Sequence, residues 1–256
     1  VSIVKRSFNA NKIKGIVFDK DGTLLDFHAT WVPRALGTLL DFHATWVPRA
    51  LAAVLAVADG DQGLASAMLQ ATGYDNEENR VLGGSILAAG NNRDISLVWA
   101  PLAHKSVDQV EIVLNDMFSA SDYGDSVAVK DLNSSLKKLA DLGLILGIAT
   151  MDSEAGIKAT LGHFDCLHLF DYAVGYDSGF GSKPGPAMVL GFCQQTGLRP
   201  EQVMVVGDNT HDIHMGQSAA AGYNVGVLTG TSTRDELEPE ADLVVDSIAD
   251  LATLWS

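Results

Sequence analysis

Short runs of apolar residues, each ending in polar groups, recur along this chain, and between them apolar positions return every three to four residues. The first pattern predicts buried strands and the second amphipathic helices. The earliest run, Ile16-Val17-Phe18, is unbroken and reads as a strand covered on both faces. From residue 127 onward the two patterns alternate. They predict a helix over 129–142 stopped at Gly143, a strand over 144–149, and a helix over 153–161 capped by Ser153. A strand at 172–174, a helix at 186–196 and a strand at 203–206 follow. The series closes with a helix at 210–220, strands at 224–227 and 243–245, and a last helix from Ile248. Such alternation predicts an α/β fold, a doubly wound parallel sheet with a Rossmann-like core.

Between the two parts lies a stretch of different character. Residues 62–72 and 85–89 read as short helices, and Ser106-Val107-Asp108-Gln109 is a capping box opening a helix to about residue 120. No strand is expected there. The chain therefore divides into a core formed by 1–26 and 123–256 and an inserted all-helical unit, 27–122.

One feature of the insert is not a fold signal. The segment GTLLDFHATWVPRAL occupies residues 22–36 and recurs unchanged at 37–51. Repeat architectures carry diverged units of longer period, so an identical tandem copy reads as a recent in-frame duplication. A continuous helix through both copies would set them about 60° out of phase and about 22 Å apart. Pro48 is tolerated only in a first turn, with Thr45 as N-cap, and Gly37 weakens the junction. A break between 37 and 46 is expected, with the helix containing Pro48 running to about Ala58. Trp31, Leu36, Leu39, Leu40 and Phe42 in the extra segment need cover, from the insert or from a second copy of the chain in a homo-oligomer.

Composition narrows the function classes. A chain of 256 residues, 47% hydrophobic and 19% charged, suits a globular enzyme. Its net charge of −15, with no offsetting basic run, argues against nucleic acid or an anionic membrane as partner. Cys166 and Cys193 cannot make a disulfide framework and have no metal-ligand spacing, which fits a cytoplasmic location. VSIVKRSFNANKIKG lacks the apolar centre of a signal peptide, and no stretch has transmembrane length.

The chemistry concentrates where apolar runs end. After Phe18 come Asp19-Lys20-Asp21-Gly22-Thr23, two acids with one residue between them. Alternation along an extended chain turns Asp19 and Asp21 the same way and Lys20 away, as a structural residue. Two neighbouring acids need a divalent cation, a shared proton, or both; a solvated turn is the plain alternative. The ends of parallel strands are where ligands bind in such sheets. The other strand ends and loops give ATMDS, GSKPGP and VVGDNTHD, in that order.

FDKDGT followed by these three elements resembles the haloacid dehalogenase superfamily of phosphotransferases, and more fully its phosphoglycolate phosphatase-like members. The resemblance covers 12–26 and about 125–256, and places the helical insert where that family carries a cap. Asp19 would be the nucleophile, forming an aspartyl-phosphate, and Asp21 the acid and base that manages the protons. Asp21 also argues for phosphate esters, since dehalogenating relatives lack the second acid. Asp208 would join Asp19 on Mg²⁺, with the backbone carbonyl of Asp21 as the ligand the resemblance adds. Asp212 fits the second acid of the family's G-D-x-x-x-D pattern, a metal-site residue by that resemblance; a helix N-terminal acid stabilised by the dipole is the plain alternative, and both roles can hold together.

Thr150 and the Met151 amide would donate to phosphate, although the family often has Asn in place of Met151. Lys183 would supply a point charge. Asn209 and His211 would be supporting or surface groups. The far end of the substrate would meet the cap, for which Arg49 is the choice among Arg34, Arg80, Arg93, His28, His43, His104 and Lys105. The expected activity is Mg²⁺-dependent hydrolysis of a small phosphorylated metabolite, 2-phosphoglycolate or a phosphoserine-like ester. A sugar-phosphate mutase and a silenced binding protein are the alternatives.

Overall fold

Gly15–Phe18 forms β1, and all four residues are buried. The structure, a computed structural model, describes residues 6–27, 46–77, 80–117 and 126–255. After β1 come α1 (Trp46–Val57), α2 (Gln62–Ala71), β2 (Tyr74–Asp75), β3 (Arg80–Val81), α3 (Ile86–Ala89), α4 (Asn92–Leu102) and α5 (Val107–Met117). The chain continues through α6 (Leu132–Asp141), β4 (Ile145–Ala149), α7 (Glu154–His163), β5 (Tyr172–Val174), α8 (Ala187–Thr196) and β6 (Val203–Gly207). It ends with α9 (Thr210–Ser218), β7 (Tyr223–Val227), α10 (Arg234–Leu237), β8 (Leu243–Val245) and a 3₁₀ helix, Ile248–Trp255.

Six strands form one parallel sheet in the order β5-β4-β1-β6-β7-β8. β1 is central, with Phe18 opposite Ile148 of β4 on one side and Val206 of β6 on the other. The strand alternation feeds two cores. Ile16, Phe18, Leu146, Ile148, Met204 and Val206 face one cluster, covered by Leu132, Leu136 and Leu139 of α6 and by Ile157 and Leu161 of α7. Val17, Val203 and Val205 face the other, covered by Met188, Val189 and Phe192 of α8 and Met215 of α9. Sheet registers with side chains buried on both faces cannot slip by one residue without exchanging the two cores. This is the doubly wound α/β architecture expected.

Residues 46–117 carry a separate apolar cluster, with Val54, Val57, Met68, Trp99, Val110 and Leu114 at its centre. The Trp99 Nε1 donates to the carbonyl of Met68 at 2.9 Å, so the indole packs without leaving its N–H unpaired. The Ser106–Gln109 box forms in both directions, at 2.9 and 3.2 Å. α1 begins at Trp46 with Pro48 in its first turn; Thr45 and the break expected over 37–46 lie outside the described residues except for Trp46 itself. The described residues take the start of the first copy, 22–27, and the end of the second, 46–51. The segment behind the homo-oligomer expectation lies between them.

Three local differences from the sequence reading have physical reasons. β2 and β3 make a small antiparallel ribbon in a stretch where no strand was expected, pairing Tyr74 with Val81 and Asp75 with Arg80. Two residues per strand are too few to leave an alternating pattern. α4 was not singled out, although Asn91 and Asp94 cap it reciprocally. α6 starts at Leu132 and not at Val129. The Val129 amide donates to the Leu24 carbonyl at 3.1 Å, and Asp131 has φ of 61°, which a right-handed helix excludes.

Candidate active site

The carboxyl ends of β4, β1 and β6 are adjacent, and they bring Thr150, Asp19 and Asp208 together. The amide of Asp19 still donates to Val206 of β6 at 2.9 Å, so the acid is held by the last rung of the ladder. α9 opens immediately beyond Asp208, and its capping box uses one oxygen of Asp212 for the Asn209 amide at 3.0 Å. The other oxygen meets the Lys183 Nζ at 2.6 Å, and the same ammonium lies 2.5 Å from Asp19 Oδ1. Lys183 comes from the loop before α8. Asp19, Lys183, Asp208 and Asp212 are all buried.

Asp208 is confined from two sides. A Cβ at Gly230 would lie 1.9 Å from its Oδ2, and one at Gly22 would lie 2.5 Å from its carboxyl carbon. Its Oδ2 accepts from the Thr231 amide at 2.9 Å and from the Thr231 hydroxyl at 3.3 Å. The turn after β7 therefore forms a wall of the site, a role absent from the sequence reading. Its signal was the polar Thr229-Gly230-Thr231 directly after an apolar strand.

Burial pushes the Asp19 carboxyl up to about 6 against the pull of Lys183, with Asp212 adding to the rise. Burial also raises Asp208 well above the usual carboxylate range, and the charges of Asp19 and Asp212 push the same way. Ligand oxygens of Asp19, Asp208 and Asp212 lie within 4.8 Å of one another. Three buried acids facing one ammonium leave an excess of negative charge, and hard carboxylate oxygens so grouped fit a small divalent cation.

Asp21 feels the charge of Asp19, and it is the residue between them that departs from its expected place. Lys20 does not turn away from the acids. It is fully buried, and its Nζ lies 2.9 Å from Asp21 Oδ1, 2.8 Å from Asp21 Oδ2 and 3.0 Å from Asp152 Oδ2. A lysine stem of four methylenes can start on the opposite face of an extended chain and bring its head back. Burial works against the Lys20 charge, and the two carboxylates more than offset it. Burial raises Asp21 to about 6, with Lys20 opposing and Asp152 and Asp19 assisting.

Thr150 is buried, and its Oγ1 accepts from the Asp152 amide at 3.1 Å; Met151 follows it at the tip of β4. Asn209 is the N-cap of α9, and its Oδ1 accepts from the His211 amide at 3.1 Å. Arg49 lies in the first turn of α1, and its side chain, like that of Arg80, is outside what the structure describes. Arg93 is engaged by Asp108 at 2.8 Å and Glu111 at 2.5 Å, and Lys105 by the Val57 carbonyl and Asp59. Arg34, His28 and His43 lie outside the described residues. The helical unit comes close to the core at Gly83, where a Cβ would lie 3.0 Å from Ser232 Oγ and Glu236 Oε2.

A family model described as haloacid dehalogenase-like hydrolase matches residues 13–220. A phosphoglycolate phosphatase of Psychrobacter arcticus is 32% identical over 49% of this chain, and the match spans 57% of that protein's length. A phosphoglycolate phosphatase of Salmonella typhimurium is 28% identical over 93% of this chain and 91% of its own. A solved haloacid dehalogenase-like family hydrolase from Streptococcus pneumoniae superposes with a TM-score of 0.67, over 96% of this chain and 100% of that one. At 15% identity that last correspondence concerns the fold alone. Among the described residues no helix is long and apolar enough to cross a membrane.

Proposed function

The chain belongs to the haloacid dehalogenase-like hydrolases, and from that premise we propose that it is a phosphatase of small phosphomonoesters working through an aspartyl-phosphate on Asp19. The observation that carries the reading is the buried group of Asp19, Asp208 and Asp212 around Lys183 at the ends of adjacent central strands. The relatives named phosphoglycolate phosphatase support 2-phosphoglycolate as substrate, with phosphoserine-like esters the nearest variants. Residues 27–122 would act as a cap over the core of 1–26 and 123–256. The two cysteines are buried free thiols, in keeping with a reducing cytoplasm.

Lys183 holds one oxygen of Asp19 and leaves the other to attack phosphorus. The bond from phosphorus to the ester oxygen breaks as the new one forms, and Asp21 gives its proton to the departing alkoxide. Water then attacks the aspartyl-phosphate, Asp21 takes its proton, and Asp19 is regenerated as inorganic phosphate leaves. The Thr150 hydroxyl, whose oxygen accepts from Asp152, keeps its proton to donate to a phosphoryl oxygen, and the Met151 amide stands beside it. Asp19, Asp208 and Asp212, with the Asp21 carbonyl, would hold Mg²⁺, which when bound neutralises phosphoryl charge.

Phosphate release from 2-phosphoglycolate with Mg²⁺, lost by a factor of about 10³ or more in Asp19→Asn, is the expected result. Isomerisation of a sugar phosphate without phosphate release would make the chain a mutase, and no turnover would leave a binding protein.

A further inference from the structure

We infer that Lys20 is a positioning residue that fixes Asp21 against the β4 loop, a role that rests on the phosphatase reading above. Lys20 is fully buried in the loop that carries Asp19 and Asp21. Its ammonium sits between two carboxylates from different strand ends, hydrogen-bonded to Asp21 Oδ1 and within ion-pair distance of Asp21 Oδ2 and Asp152 Oδ2. Asp152 is itself fixed. Its Oδ1 accepts from the Ser153 amide at 2.7 Å, its amide donates to Thr150, and its carbonyl accepts from the Tyr176 amide at 3.0 Å. A Cβ on Gly156 would lie 2.2 Å from its Oδ2, so α7 presses against it as well.

The Asp21 side chain, by contrast, is one-quarter exposed. A carboxyl on a turn can rotate; one paired with a buried cation cannot without breaking a charge-assisted bond. Lys20 thus ties the proton-handling group to the same loop that carries Thr150. Proton transfer depends on the direction of the carboxyl as well as on its presence. The chemical consequence is selective. An alkyl ester needs its leaving oxygen protonated, whereas nitrophenolate departs without a proton.

The test compares kcat/KM for 2-phosphoglycolate and for 4-nitrophenyl phosphate in wild type, Lys20→Met and Asp152→Asn, with Mg²⁺ present. The expected result for Lys20→Met is a loss of about tenfold or more on the alkyl ester and under about threefold on the aryl ester. Asp152→Asn keeps the Lys20–Asp21 pair and so decides the matter if Lys20→Met does not fold; its smaller loss should also be confined to the alkyl ester. Equal losses on both esters, no loss in either variant, or a gain on the alkyl ester overturns the proposal. Failure of the wild type to release phosphate from either ester defeats the phosphatase reading itself, and the role of Lys20 falls with it.

Discussion

A carboxylate at the end of a buried strand has little water to stabilise its charge, and Asp19 and Asp208 both show the consequence. Their raised values mean that the folded chain holds protons which the unfolded chain has already released. Without a cation, their contribution to stability is complete below the ordinary carboxylate range and is lost as pH rises through the folded values. A divalent cation binds the ionised forms, so its stabilising effect must grow over the same interval. Thermal midpoints with and without Mg²⁺ should differ little near about pH 4.5 and by several degrees near about pH 7.5. An equal shift at both would contradict the assignment of these acids to a cation. Asp19, Asp21 and Asp208 could be read from the sequence because each terminates or follows an apolar run. Lys20, Asp152 and Thr231 could not, since what matters about them is a contact between loops far apart in the chain.

Elements deliver these residues by packing. α8 follows the Lys183 loop, and its Phe192 ring lies over two glycines, where a Cβ at Gly15 or Gly147 would come within 2.8 and 2.6 Å of it. The glycines on β1 and β4 are thus the floor on which that helix rests, and the position of Lys183 depends on it. Phe192→Ala should cost about 3–5 kcal/mol in urea unfolding through the cavity it leaves. A cost under about 1 kcal/mol would mean that the helix is held elsewhere. Most of these elements were legible because an unbroken apolar run such as 172–174 or 203–206, bounded by Gly and polar groups, allows one reading. The β2–β3 ribbon was not, because four residues carry no period. The last helix, from Ile248, is a 3₁₀ helix, a hydrogen-bond spacing that apolar periodicity does not resolve over eight residues.

At the scale of the molecule, the sheet and its two covering layers follow from alternation alone, and the helical unit from its interruption. The relation between the two does not, because it depends on contacts such as Gly83 against Ser232. The fifteen-residue copy enters where the chain passes from the Asp19 loop to the helical unit. We expect that deleting residues 37–51 changes the relative rates on small and bulky phosphate esters, since it shortens the chain that joins the Asp19 loop to the helical unit. An unchanged substrate profile would make the copy functionally silent.

The central claim is that Asp19 carries the phosphoryl group, and it can be caught in the act. Asp21→Asn should still accept a phosphoryl group from 4-nitrophenyl phosphate, which needs no acid, but should be slow to pass it to water. Rapid acid quenching of that variant with Mg²⁺, followed by peptide mass mapping, should find close to one phosphoryl group per chain, on Asp19. An unmodified Asp19 during steady turnover, or a phosphoryl group on another residue, would contradict the account.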